Sequence, residues 1–209
     1  MQQAPMVSTG APVAGPRRPR YHPPPEAGGR VTAEPETAPH PGRARLDALV
    51  AKLGIAMPEV THPAVFTVEQ AAAHPHGLPG EDTKNLLLKD ARGKLFLVTL
   101  RADRRADLKT LPALLGGKRL SFASAETLHA ALGVAPGSVT PLALVNDVAH
   151  RVAFALDRAL AEAEHIVTHP LVNTASVSLR TPDFFRLLRA LGVEPAIIDL
   201  DGARAASRR

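Results

Sequence analysis

The sequence predicts a single α+β domain with a curved, mixed β-sheet flanked by helices, preceded by a disordered proline-rich tail. Three observations predict it. Helix-period and strand-period segments are interleaved over residues 43–201 without the regular alternation of a βαβ array. Ten of the 20 prolines fall within residues 1–42, which carry no periodic apolar pattern. Such a segment cannot bury enough surface to offset its ordering entropy. No internal repeat is visible, and no apolar run reaches the roughly eighteen residues of a membrane span. Residues 202–209 read as a short basic tail.

The elements follow in order. Leu46, Leu49, Val50 and Leu53 keep the i, i+3, i+4, i+7 spacing of a helix, and Gly54 supplies its stop. A short strand is expected around Glu59–His62, after Pro58. Thr67-Val68-Glu69-Gln70 reads as a capping box opening a brief helix, and His74 to Gly80 as a loop. Two apolar runs, Asn85–Lys89 and Leu95–Leu100, flank Asp90-Ala91-Arg92-Gly93 and predict a hairpin. A helix from Asp107 towards Leu115 is kinked or shortened by Pro112. Leu120–Ala123 is a short strand, and Ser124 caps a helix that ends at Gly133. Leu142–Val145 and Arg151–Leu156 bracket Asn146-Asp147 and read as paired strands, with Val152, Phe154 and Leu156 on one face. A helical stretch near Ala159–Glu164 precedes strands at Ile166–Val167 and Ser176–Leu179. Thr181-Pro182-Asp183 starts a helix, with Thr181 as its cap, that stops at Gly192. Ala196–Leu200 closes the domain as a buried strand.

Composition excludes several chemistries. There is no cysteine, hence no disulfide, thiolate nucleophile or sulfur-ligated zinc. The N-terminus lacks the apolar stretch of a secretory signal, so a cytoplasmic protein is expected. Residues 43–201 hold 18 Lys/Arg against 17 Asp/Glu, so most of the net charge of +5 lies in the tails. Bulk charge on the folded part therefore argues nothing about nucleic acid, and only local clusters can. Arg104 and Arg105, beside Arg101, form one such cluster and Lys118-Arg119 another. With six Phe, one Tyr and no Trp, stacking of single-stranded bases is disfavoured, and any RNA is expected to be gripped by phosphate and shape.

Three features can carry chemistry. Lys84 precedes Leu86-Leu87-Leu88, so its ammonium emerges from a buried strand and can bind phosphate or offset an oxyanion; a strand-end lysine reaching to solvent is the plainer alternative. His169 sits in Thr168-His169-Pro170, where the following proline enforces extended backbone, and can position water or simply make a structural bond. Gly137-Ser138-Val139-Thr140-Pro141 is a turn whose backbone amides can face an anion. His62-Pro63 is a second His-Pro pair with a weaker claim. His74 and His76 lack the helical spacing of a metal pair, so no metal and no cofactor are expected. Ser138 stands in no nucleophile elbow.

From about Thr61 to Leu200 the chain resembles the YbaK/prolyl-tRNA-synthetase-associated editing domains, and among them the freestanding Ala-tRNA(Pro) deacylases (ProXp-ala). The matching stretches are Thr83 to Lys89, Asp107 to Leu111, Lys118 to Ser124, Gly137 to Pro141 and His169 to Ser176. The resemblance implies a trans-acting aminoacyl-tRNA deacylase that hydrolyses the ester of alanine mischarged onto tRNA(Pro). Its alternatives are a deacylase for another small amino acid or tRNA, a non-catalytic tRNA- or synthetase-binding module, and a metal-dependent hydrolase. Carried over residue by residue, it implies catalytic roles for Lys84, Gly137, Ser138 and His169. It likewise implies substrate contacts at Asn85, Asn173 and Thr174. The implied partners are the tRNA(Pro) acceptor end, gripped by Lys118, Arg119, Arg104 and Arg105, and transiently prolyl-tRNA synthetase or elongation factor, with no membrane.

Overall fold

The computed structural model describes residues 40–64 and 76–200. The expected capping box at Thr67–Gln70, His74, residues 1–39 of the N-terminal tail and the C-terminal tail lie outside the described residues. Eight strands form one mixed sheet in the order β1-β7-β6-β2-β3-β5-β8, with β4 also paired to β2. They are β1 (Glu59–Thr61), β2 (Glu81–Asp90), β3 (Leu95–Arg101), β4 (Leu120–Phe122), β5 (Val152–Asp157), β6 (His165–Thr168), β7 (Ala175–Arg180) and β8 (Ala196–Ile198). Among the described residues five helices join them: α1 (Pro41–Leu53), α2 (Leu111–Leu115), α3 (Ala125–Leu132), α4 (Arg158–Ala161) and α5 (Thr181–Ala190). Among the described residues no helix is long and apolar enough to cross a membrane.

Local chemistry sets most boundaries. Gly54, Gly116 and Gly133 end α1, α2 and α3 in the left-handed region that glycine enters without a Cβ penalty. Ser124 Oγ accepts from the Thr127 amide to start α3. Asp90 Oδ1 accepts from the amides of Arg92 and Lys94, fixing the β2–β3 turn. Pro41 and Gly42, expected to be the end of the disordered tail, are the first two residues of α1. Its cap is the buried His40, whose Nδ1 accepts from the Gly42 amide while Pro41 occupies the first turn.

Three expectations are corrected. Leu142–Val145 is not a strand: Pro141–Asn146 is a 3₁₀ segment, capped by Thr140 Oγ1 on the Leu142 amide. The run is buried on all sides, so its apolarity carried no period to tell helix from strand. Thr181 is not the cap of α5; Arg180 holds that position and makes no side-chain capping bond, while the Thr181 hydroxyl is buried without a partner. Strand β8 is an edge, with Ala196 and Ile197 exposed. The sheet is mixed as expected: β5 pairs parallel to β3 and β8, and β6 parallel to β2, while the other pairs are antiparallel.

The sheet separates two cores. On one face Leu87, Leu97, Val152, Phe154, Leu156, Ile166 and Val177 pack under α1, α3, α5 and the 3₁₀ segment. On the other, Leu88, Phe96, Val98 and Leu100 meet Leu111 of α2 and Ile198. Burying such side chains contributes about 1.5–3 kcal/mol each. At one end of that second face apolar residues give way to polar ones.

Candidate active site at a fork in the sheet

Strand β2 is paired along one edge with β3 from Thr83 to Lys89. Its other edge is shared. Strand β6 takes Glu81 and Asp82, and β4 takes Leu88 to Asp90. Between them, residues 83–87 have no partner strand on that edge, and a single backbone bond, from the Ala123 amide to the Leu87 carbonyl, crosses the gap. The two-residue period turns the main-chain groups of Asn85 the same way as that carbonyl. The sheet thus forks where Lys84 and Asn85 lie.

Alternation sends the two side chains to opposite faces. Lys84 pairs with Leu100 and projects on the α2 side, where its ammonium donates to the carbonyls of Ala102 (3.3 Å) and Arg104. These bonds fix the position of the charge at the end of β3. Asn85 pairs with Thr99 on the helix-covered side; its Oδ1 accepts from Thr99 Oγ1 at 2.8 Å and its Nδ2 donates to Thr83 Oγ1 at 3.3 Å.

Beyond the end of β6, His169 turns back on the loop that follows it. Its Nδ1 lies 2.9 Å from the Ala175 carbonyl, which only accepts, so the proton sits on Nδ1 and Nε2 keeps its lone pair. The His62 ring stands 6.1 Å away, tilted by 57°. His62 is tied in the same tautomer: Nδ1 donates to the Pro63 carbonyl (2.8 Å), and Nε2 accepts from Ser176 Oγ (3.0 Å). His76 Nε2 donates to Asp82 Oδ1 at 2.9 Å, while its Nδ1 accepts from the Leu78 amide. By register Asp82, Lys84, Val167, Ser176 and Ser178 share one face. His62 joins it through Ser176, and His169 through His62. His62, His76, Asp82 and Ser176 were missed or undervalued in the sequence; the alternation Asp82-x-Lys84 and the His62-Pro63 pair were their faint signals.

The glycine turn approaches from the helix-covered side. Thr140 Oγ1 meets Thr168 Oγ1 at 3.2 Å, immediately before His169, and Gly137 has a positive φ of 91°. The Ser138 amide donates to the Ala135 carbonyl at 3.0 Å, so that amide is engaged inside the turn and Ser138 itself is buried. Asn173 is half-buried and Thr174 exposed in the loop between β6 and β7, where the Thr174 carbonyl accepts from the His62 amide. Lys118 and Arg119 are exposed ahead of β4, and Arg105 is exposed after β3. Arg104 is half-buried, with Nε 4.0 Å from the buried Asp157, so the fold turns this member of the basic cluster inward. Gly80, Glu81, Asp82, Arg101, Ala102 and Asp103 line an open hollow of about 390 Å³ beside the fork.

Burial holds the His169 pKa below the ordinary 6.5, reinforced by the neighbouring imidazoles of His62 and His76 and opposed by the Ala175 carbonyl and Asp82. The imidazole is therefore neutral at pH 7. Because the folded protein binds this proton less readily than the unfolded chain, His169 weakens stability as pH falls below 6.5, and the loss continues down to the folded-state pKa. A ring titration by NMR, assigned with His169→Gln, is expected to show a midpoint below 6.5. A midpoint above 6.5 would contradict the burial argument.

Residues 62–187 match the family model described as the aminoacyl-tRNA editing domain. The chain is 38% identical over 178 residues to a Danio rerio protein named prolyl-tRNA synthetase associated domain-containing protein 1, covering 84% of this chain and 94% of the relative. It is 33% identical over 134 residues to the prolyl-tRNA editing protein ProX of Acetoanaerobium sticklandii, covering 64% and 82% respectively. A solved structure described as a candidate trans-editing enzyme for prolyl tRNA synthetase superposes with a TM-score of 0.55 at 23% identity, over 77% of this chain and 98% of its own. Hypothetical protein APE2540 superposes with a TM-score of 0.58 at 20% identity, over 74% and 97%. These two structures share the fold.

Proposed function

The chain belongs to the aminoacyl-tRNA editing domain family, and from that premise we propose that it is a trans-acting deacylase hydrolysing the ester of alanine mischarged onto tRNA(Pro). One observation carries the reading beyond the family. A lysine with a fixed ammonium and a neutral histidine presenting Nε2 face the same side of the sheet, at a fork where β2 leaves its edge open.

In this reading an attacking water donates a hydrogen bond to His169 Nε2 as it approaches the ester carbonyl. The ammonium of Lys84 offsets negative charge, either on the terminal phosphate or as it grows on the carbonyl oxygen. Since the Ser138 amide is engaged and the glycine turn packs on the helix-covered side, a donor from that turn would be the Gly137 amide reaching the ester through the open edge of β2; one such donor is worth about 3 kcal/mol of transition-state stabilisation. Asn85 sits on the far side of β2, so its contribution is its main chain at the fork. The ribose 3′ oxygen leaves with a proton from solvent, releasing alanine and intact tRNA. A pocket sized for a methyl group excludes proline by bulk. Such a second sieve is needed because a synthetase pocket rejects a smaller amino acid by only about 1–3 kcal/mol per missing methylene.

Purified protein challenged with a panel of mischarged tRNAs, with and without EDTA, tests the reading. Ala-tRNA(Pro) is expected to be cleared fastest, with cognate Pro-tRNA(Pro) spared and the chelator without effect. Clearance of seryl or other substrates in preference to alanyl would reassign the specificity. Binding of tRNA without turnover would replace the enzyme by an RNA-binding module.

A further inference from the structure

We propose that Leu171 and Gly42 form a packing lock that positions His169, making the first turn of α1 part of the candidate site. Leu171 lies two residues after His169 and holds a φ of +70°, a region that a bulky side chain enters only when its surroundings impose it. It is 1% exposed, so the imposing force is burial of its own side chain in the helix-covered core.

The socket is supplied by α1. A methyl group at Gly42 would stand 2.7 Å from Leu171 Cδ2 and 2.5 Å from Asn146 Oδ1, so any larger residue there must displace one of these side chains. The Asn146 side chain is tethered, so the displacement falls on Leu171. Asn146 donates to the Leu132 carbonyl at 2.7 Å and accepts from Arg45 Nη2 at 2.8 Å. The same turn is pinned by His40, whose Nε2 donates to the Gly133 carbonyl at the end of α3.

The loop from His169 to Thr174 is consequently tied at both ends and in its middle. Thr168 meets Thr140 at one end, the Thr174 carbonyl accepts from His62 at the other, and Leu171 is the buried central anchor. His169 reaches across this loop to the Ala175 carbonyl, so its ring direction depends on the loop's path. Leu171 and Gly42 act through His169 and are positioning residues. Any effect on turnover rests on the deacylase reading above, whereas the effect on the ring does not.

Three variants, Gly42→Ala, Leu171→Gly and Leu171→Met, test the lock by NMR of the His169 ring and by deacylation. In Gly42→Ala the folded protein is expected to show a displaced His169 ring resonance, a pKa moved towards 6.5 and kcat lowered about tenfold or more at nearly constant KM. Leu171→Gly permits the backbone angle but removes the anchor and should behave alike, while Leu171→Met retains most of the volume and should stay near wild type. Should Leu171→Gly not fold, Gly42→Ala decides alone. Wild-type ring shift and pKa in a folded Gly42→Ala protein overturn the lock. If the parent protein deacylates none of the panel, the proposed function falls and the ring measurement still decides this inference.

Discussion

Replacing Lys84 by methionine is expected to lower kcat/KM for Ala-tRNA(Pro) by about a hundredfold to a thousandfold, the range seen when a positioned electrostatic donor is removed. Methionine keeps most of the buried stem, so packing beside Leu86 and Leu88 changes little while the charge is lost. Stability should also fall. The partly buried carbonyls of Ala102 and Arg104 lose a donor, and since an acceptor left unsatisfied in full burial costs about 1–3 kcal/mol, the loss here lies towards the lower end. The two effects separate by assaying well below the melting temperature, where a 1–3 kcal/mol deficit leaves the protein folded. Lys84→Arg is not a rescue: the planar fork of guanidinium cannot occupy the place of a compact ammonium held between two carbonyls. A folded Lys84→Met protein with wild-type turnover would remove Lys84 from the chemistry and leave it the structural task of holding the turn after β3.

That prediction rests on a residue the sequence picked out and on a geometry it did not. Lys84 was legible because a polar residue ahead of three leucines stands out against a buried run, although β2 begins at Glu81 and Lys84 lies inside the strand and not at its mouth; His169 was legible because proline stiffens what precedes it. Caps and stops were legible for the same local reason: Ser124, Gly54 and Gly133 act within one helical turn of themselves. The alternation of Val152, Phe154 and Leu156 held because β5 places two different cores on its two faces. The 3₁₀ segment failed that test, since Leu142 to Val145 are buried on every side and show no period. His40 was invisible as a cap because imidazole is an uncommon one, and the tail's composition runs up to it.

The fork was beyond the reach of any local rule. It exists because β6 leaves β2 after Asp82 and β4 joins only at Leu88, and both facts depend on pairings across roughly eighty and thirty positions of chain, visible only once the register is known. The same holds for the cluster of His62, His76, Asp82, His169 and Ser176. Each is an ordinary residue in its own segment, and strands β1, β2 and β7 bring them to one face. Resemblance to a family supplied Lys84, Asn85 and His169 together, but it did not separate the faces on which Lys84 and Asn85 project.

Truncating Phe184 to alanine should have the largest effect on stability of any single apolar change on the helix-covered face. The ring is fully buried in α5 and meets Phe154 of β5 edge-on at 6.4 Å and Phe185 at 6.2 Å. Loss of such a ring costs about 3–5 kcal/mol, because the transfer energy is lost and the cavity does not fully collapse. Against a typical total of about 5–15 kcal/mol this is a large share, and for a domain of this size it lowers Tm by roughly 10 °C. The urea midpoint should fall with the m value unchanged, as for a change in stability alone. Phe185→Ala, at a half-buried ring, should cost clearly less. Phe184 packs on the face opposite Lys84, so the folded fraction of Phe184→Ala at low temperature should keep its turnover per folded molecule. A folded Phe184→Ala protein with turnover as low as Lys84→Met would show that the two faces are coupled, and that the fork is shaped by the core beneath it as well as by the residues at its rim.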